Sequence, residues 1–129
     1  DTLERYRREL EHKMDAWVGE VVSSIRSETV RVCRNIADSL AKGRIHPQHV
    51  DSVKLWVDRF KSLNFVNDQA MATALADLQK SLSGDVSKIN TDAAALAAIS
   101  TSVASAMAIA TDSVSAKSVV GKYQRKIRG

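Results

Sequence analysis

The sequence contains little of what a β-sheet fold or a disulfide-bonded fold requires. Its 129 residues include one proline, five glycines, six aromatic residues and one cysteine. A β-sandwich or β-barrel needs a turn, usually marked by glycine or proline, about every 8–12 residues. The single cysteine, Cys33, excludes an internal disulfide and fits a reducing, cytoplasmic compartment. Because alanine, the best helix former, occurs seventeen times, we expect an all-α protein.

A long first helix is predicted over residues 2–41. At about 1.5 Å per residue it would be roughly 60 Å long. Gly43 suits the left-handed position just after its end, and Pro47 suits the first turn of the next helix. Large apolar side chains recur at steps of three and four residues with an eleven-residue period and one gap at Glu28, which is typical of a nearly straight helix: Leu3, Tyr6, Leu10, Met14, Trp17, Val21, Ile25, Val32, Ile36 and Leu40.

Three further helices are predicted over residues 47–62, 68–82 and 86–124. Asn67 is the expected N-cap of the third helix, with Val66 and Met71 at hydrophobic-staple spacing. The phase of the apolar pattern shifts at residues 83–85. Either a break separates the third and fourth helices, which we favour, or one continuous helix passes through with a stutter.

These lengths predict one elongated domain over residues 1–129. Two long helices of about 40 residues and two short ones of about 15 suit a coiled-coil-like antiparallel hairpin or four-helix bundle. An elongated shape buries less apolar surface than a compact one, so we expect self-association as a homodimer or a larger assembly. Since the chain begins with Asp1 rather than Met, we also expect it to be a piece of a longer protein.

The sequence has no motif that indicates catalysis. It lacks a glycine-rich phosphate loop, a dinucleotide fingerprint and paired metal-binding histidines on one helix. Cys33, His46 and His49 could be imagined as metal ligands, but no fourth ligand is evident. We therefore expect no catalytic residue, no cofactor and no metal, and we interpret Cys33 as a small packed side chain.

A non-catalytic interaction or assembly module is the function that we favour. Its partners would be other copies of the chain or a larger complex. On the second helix, Trp56, Phe60 and Arg59 are candidate partner-binding residues, because exposed aromatic patches mark partner sites. For Trp17 and Trp56 themselves we favour packing in the core, since both lie on apolar stripes, with an exposed anchor patch around Trp56 as the alternative.

The positive charge is concentrated at the end of the chain. The net charge is +4, but residues 113–129 contain five basic residues and no acidic one, so the rest of the chain is slightly acidic. Non-specific nucleic-acid binding through this tail is an alternative function, with cations for phosphates and an aromatic ring for base stacking. Its candidate residues are Lys117, Lys122, Tyr123, Arg125, Lys126 and Arg128.

Residues 93–111 contain no charged side chain. A stretch of this length could span a bilayer, but it is rich in alanine, serine and threonine. We favour a buried helix whose small side chains allow close approach of another helix, and we expect no membrane contact. A membrane-active helical hairpin that uses this stretch is the second alternative function.

Overall fold

A computed structural model describes the backbone of residues 1–128 and the side chains of residues 1–127. Over these residues the protein is all-helical, with six α-helices, one 3₁₀ turn and no strand. The helices are α1 (Thr2–Ala41), α2 (Pro47–Leu63), α3 (Gln69–Ser81), α4 (Val86–Asn90), α5 (Ala93–Ala110) and α6 (Ser113–Arg128), and the 3₁₀ turn spans Asn64–Val66.

The first helix has clear start and stop signals. The Asp1 carboxylate caps α1 by accepting a hydrogen bond from the backbone N–H of Leu3 at 3.0 Å. At the other end Gly43 has φ of +85°, the left-handed conformation predicted for it, and its N–H donates to the carbonyl of Leu40. Pro47 is the first residue of α2, also as predicted.

The connection between α2 and α3 differs from the prediction by one residue. Asn67 is not the N-cap of α3, because it adopts a left-handed conformation with φ of +58° that ends the 3₁₀ turn. Asp68 is the N-cap, and its carboxylate accepts from the N–H of Met71 at 3.2 Å. The staple predicted between Val66 and Met71 loses its basis with this shift.

In place of the long helix predicted over residues 86–124, the structure has three separate helices, α4, α5 and α6. An aspartate begins each one: Asp85 caps α4, Asp92 caps α5, and the Asp112 carboxylate accepts from the first N–H groups of α6. Gly84, with φ of +112°, lies in the break between α3 and α4. Over residues 1–128 the layout is thus six helices, not four.

The second half of the chain returns along α1 in the opposite direction. Near the end of α1, the side chain of Asn90 exchanges two hydrogen bonds with the backbone of Ile45. In the middle of α1, Arg26 binds the carbonyl of Ile109 at the end of α5. Ile127 of α6 lines a cavity with Met14. α2 packs against the C-terminal half of α1, and α3 packs against α5.

Two apolar clusters hold the helices together. The larger one joins α1, α2, α3, α4 and α5 and includes Ile36, Phe60 and Leu78. The smaller one joins α1, the 3₁₀ turn and α6 through Val18, Val22, Val66 and Val119. Neither cluster contains a buried residue that precedes Val18.

A buried ion pair connects four parts of the fold. The Arg26 guanidinium, 2% exposed, donates to both carboxylate oxygens of Asp68 at 2.9 and 3.0 Å. It also donates to the carbonyl of Ile109 and to the hydroxyl of Ser115. α1 is thereby joined to the start of α3, the end of α5 and the start of α6. The carbonyls at a helix C-terminus favour a cation, so the environment suits the charge of Arg26.

Candidate interaction surface on the first helix

The N-terminal part of α1, residues 2–17, lies outside the two apolar clusters, and we call it the arm. We call the rest of the described chain, from Val18 onward, the body. The apolar side chains of the arm occupy one face at the same helical spacing that continues into the core further along α1. Their exposed fractions, however, are those of surface residues: Leu3 78%, Tyr6 60%, Leu10 43%, Met14 45% and Trp17 51%. We call these five side chains the arm stripe. Single exposed apolar residues are ordinary, but a contiguous row of large ones marks an interaction site.

An aromatic cluster lies at the base of the arm. The Trp17 ring stacks on Phe65 of the 3₁₀ turn, with centroids 5.1 Å apart and planes inclined by 17°. Phe65 also makes an edge contact with Tyr123 of α6 at 6.0 Å. Because Trp17 and Phe65 remain 51% and 43% exposed, the cluster presents rigid aromatic surface to solvent. Such surface is typical of the residues that dominate binding energy in protein interfaces.

α2 does not cover the arm stripe, because it ends before it reaches the arm. From Val21 onward the same face of α1 packs against α2 and is buried or half-buried. A cavity of about 430 Å³ between α1 and α2 marks the transition. It opens beside Trp17 and is lined by Val21, Trp56, Arg59 and Leu63 among others. The arm stripe and this cavity therefore form one continuous surface.

The polar faces of the arm carry charges of both signs. Residues 1–17 contain four basic and five acidic side chains. Two i,i+4 ion pairs lie along it, Arg8 with Glu4 at 3.7 Å and Arg7 with Glu11 at 3.8 Å. Both pairs are exposed, so they contribute little to stability. The arm is therefore close to electrically neutral, and its apolar face is its distinguishing feature.

Of the candidate partner-binding residues of α2, Trp56 and Phe60 lie in the core and Arg59 lies on the surface. Phe60 and Trp56 are 3% and 6% exposed, and the Trp56 indole N–H donates to the hydroxyl of Thr29 at 3.0 Å. Neither ring forms an exposed anchor patch, because both pack in the large cluster. Arg59 is exposed and lines the cavity beside Trp17 together with one edge of Trp56. Trp17, for which we favoured core packing, is half exposed instead.

The basic tail forms most of α6. Lys117, Lys122, Arg125 and Lys126 are exposed, and the side chain of Arg128 lies outside the described residues. Tyr123 is half-buried in the small cluster and contacts Phe65, so its ring is engaged by the protein's own packing. This placement leaves the one aromatic ring of the tail only partly accessible for stacking on a base.

The uncharged helix α5 buries only one narrow face. Ile99, Val103 and Ala106 are buried, and the outer face consists of alanine, serine and threonine. Among the described residues α5 is the one helix long and apolar enough to cross a membrane, and 17% of it is buried. Its large apolar residues point inward, so the exposed surface is made of small side chains.

The groups considered for chemistry are scattered. Cys33 is fully buried, and burial raises the pKa of its thiol to about 11. The rings of His46 and His49 contact each other at 5.5 Å, and burial together with His46 lowers the pKa of His49. Within residues 1–127 no three His, Cys, Asp or Glu side chains lie close enough together to hold a metal ion.

Fold and surface together define an all-helical bundle with a projecting apolar arm. No protein-family model matches the chain, and neither a curated protein nor a solved structure matches it.

Proposed function

We propose that this domain is a non-catalytic helical module that self-associates through the arm stripe. The observation that carries the proposal is the row of five large apolar side chains on one face of α1, each at least 43% exposed. Phe65 stacks on Trp17 and Ile127 lies near Met14, but neither contact buries these side chains. In water such a row favours burial against another apolar surface, at roughly 25 cal/mol per Å² removed from solvent.

The partner that this face suits is another helix. Its apolar residues follow steps of three and four, and in pairs of helices such side chains interdigitate in a coiled-coil-like seam. The near balance of charge on the arm adds no net repulsion between copies. The proposal places the module in the cytoplasm, where a lone thiol such as Cys33 remains reduced.

The mass of the chain in solution tests this function. Sedimentation of the wild-type chain from about 1 µM to 1 mM should show a concentration-dependent assembly of at least two copies. The double variant Leu10→Lys/Met14→Lys should remain monomeric, because it places charges in the middle of the stripe. Leu55→Lys is the matched control, since Leu55 is 70% exposed on α2, away from the arm.

A wild-type chain that stays monomeric at 1 mM would contradict the proposal. So would an assembly that the double variant forms as well as the wild type, because the contact would then lie elsewhere on the surface. Circular dichroism of each variant, with an unchanged helical signal, separates lost association from lost folding.

A further inference from the structure

We infer that the arm stripe pairs with the arm stripe of a second copy in antiparallel orientation, with Leu3 of each copy seated against the aromatic cluster of the other. This inference rests on the proposed function and adds the orientation, the register and the contact residues. The occupant of the arm stripe is a second copy of this chain.

The position of α2 favours the antiparallel orientation. On the face of α1 that carries the stripe, α2 occupies the space from Val21 onward and ends at Leu63, beside Trp17. In a parallel pair the two α2 helices would meet at the same level and compete for that space. In an antiparallel pair they lie at opposite ends, and each arm continues the path along α1 that α2 leaves free.

The spacing of the stripe is symmetric about its centre. When Leu10 faces Leu10 of the second copy, Leu3 lies level with Trp17 and Tyr6 lies level with Met14. Each pair combines a flexible aliphatic or thioether side chain with an aromatic ring or another leucine. Contacts of a methionine sulfur with an aromatic ring are favourable by about 0.3–1.5 kcal/mol. In this register every aromatic ring of the stripe therefore faces a flexible leucine or methionine of the second copy.

The ends of this seam meet preformed apolar surface. Leu3 of the second copy reaches the level of Trp17, whose ring is held by its stacking on Phe65. The mouth of the 430 Å³ cavity between α1 and α2 lies at the same level. Leu63, 39% exposed, forms part of its rim. A leucine at this place would bury the exposed edge of the cluster without any rearrangement of the body.

Beside the stripe, this register brings both opposite and like charges together. In an antiparallel pair, side chains on the same flank of the two helices meet. On one flank Lys13 then lies within one turn of Glu9 of the second copy, and on the other Arg7 lies within one turn of Glu11 of the second copy. By symmetry each of these opposite-charge contacts occurs twice, while Glu9 and Glu11 also each lie within one turn of the same residue of the second copy. These exposed pairs contribute to orientation more than to affinity.

Cysteine crosslinking tests the orientation directly. Thr2 and Glu20 are exposed and lie on the same flank of α1. In the antiparallel register, Thr2 of one copy is about 3 Å along the axis from Glu20 of the other, whereas two Thr2 residues are about 24 Å apart and two Glu20 residues about 30 Å apart. A short bis-maleimide should therefore join Thr2→Cys to Glu20→Cys in a mixture of the two variants, and neither variant to itself. Native Cys33 does not interfere, because it is fully buried.

Each outcome has a separate meaning. A crosslinked dimer in the mixture alone, abolished by Leu10→Lys/Met14→Lys in both chains, supports the antiparallel pair. Crosslinking of each single variant to itself indicates a parallel pair and overturns the inference, while the self-association of the proposed function stands. If no crosslink forms but the wild type still assembles through the stripe, the register is wrong. A monomeric wild type removes both the inference and the proposed function.

Discussion

At the residue scale, the most consequential contact is the buried ion pair between Arg26 and Asp68. Removing two charges from water is costly, and here the cost is offset by a bidentate contact together with the Ile109 carbonyl and the Ser115 hydroxyl. Asp68 also caps α3 through the N–H of Met71. The pair therefore determines where α3 begins and where α5 ends relative to α1, and loss of one partner would leave the other charge buried.

We predict that Asp68→Ala destabilises the fold by about 3–5 kcal/mol, because it leaves the Arg26 guanidinium buried without its carboxylate. Urea denaturation followed by circular dichroism measures the change. The control is Asp77→Ala on α3, whose side chain is exposed and should change stability by less than about 0.5 kcal/mol. Equal stabilities of the two variants would show that the ion pair contributes nothing.

The thiol of Cys33 gives a pH-dependent prediction. Burial raises its pKa to about 11 from an ordinary 9.0, so the folded state holds the proton at pH values where the unfolded state releases it. This contribution to stability is complete below about pH 9 and is lost as the pH rises towards 11.

Unfolding of the wild type should therefore become easier than that of Cys33→Ala as the pH rises from about 8 to 10.5, relative to their difference at pH 7. Denaturation midpoints of the two chains over this range provide the measurement. A pH-independent difference between them would mean that the thiol ionises equally in both states.

At the scale of single helices, α1 consists of two differently stabilised parts. Residues from Val18 onward are buried against other helices, whereas the arm depends on its own backbone hydrogen bonds and a few contacts with α6. A helical segment without tertiary packing is only marginally stable in water. The two parts of one uninterrupted helix should therefore open at different rates.

Hydrogen exchange should show this difference. At low chain concentration the amides of residues 6–14 should exchange at least ten times faster than those of residues 25–36, because local opening of the arm exposes little apolar surface. At high concentration the arm amides alone should slow, as pairing covers them. Uniform protection along α1 at low concentration would contradict this view of the arm.

Local signals predicted several helix boundaries and missed others. The sequence predicted the long apolar period of α1, the left-handed conformation of Gly43 and the place of Pro47 at the start of α2. The breaks before α5 and α6 were missed, because the apolar steps from Ile89 to Ala93 and from Ala110 to Val114 are each four residues and continue the helical period across them. The signal was present in Asp92 and Asp112, each of which caps the next helix.

The ion pair and the arm stripe required the tertiary structure. Arg26 and Asp68 are 42 residues apart, and in the sequence Arg26 is indistinguishable from the other arginines of a solvated face. The apolar period of α1 runs from Leu3 to Leu40 with a single gap at Glu28, so periodicity alone predicts that both halves of the helix are buried. Only the lengths and paths of α2 and α6 determine which half is covered.

At the scale of the whole molecule, the body and the arm separate cleanly. Both apolar clusters lie within residues 18–120, with partly buried Tyr123 at their edge. The arm contributes no buried side chain to either cluster. The body thus contains both apolar clusters, and the arm carries the exposed arm stripe.

Deletion of residues 1–14 should accordingly leave the body folded, with Tm lowered by no more than about 5 °C, and should abolish self-association. Thermal unfolding and sedimentation of the shortened chain are the two measurements. Fraying at the end of α6 is expected, because Ile127 loses Met14. Cooperative unfolding near room temperature would show that the arm belongs to the folding unit.

The uninterrupted backbone of α1 has a geometric consequence for any pair that the arms form. Each residue of an α-helix advances about 1.5 Å and turns about 100°. The distance and the rotation between the two bodies of a pair are therefore set by the number of residues between Trp17 and the core of α1, and they change in fixed steps with each residue. Inserting one residue there would rotate the arm stripe about a quarter of a turn away from Phe65. Inserting a full heptad would nearly restore its direction and lengthen each half of the pair by about 10 Å.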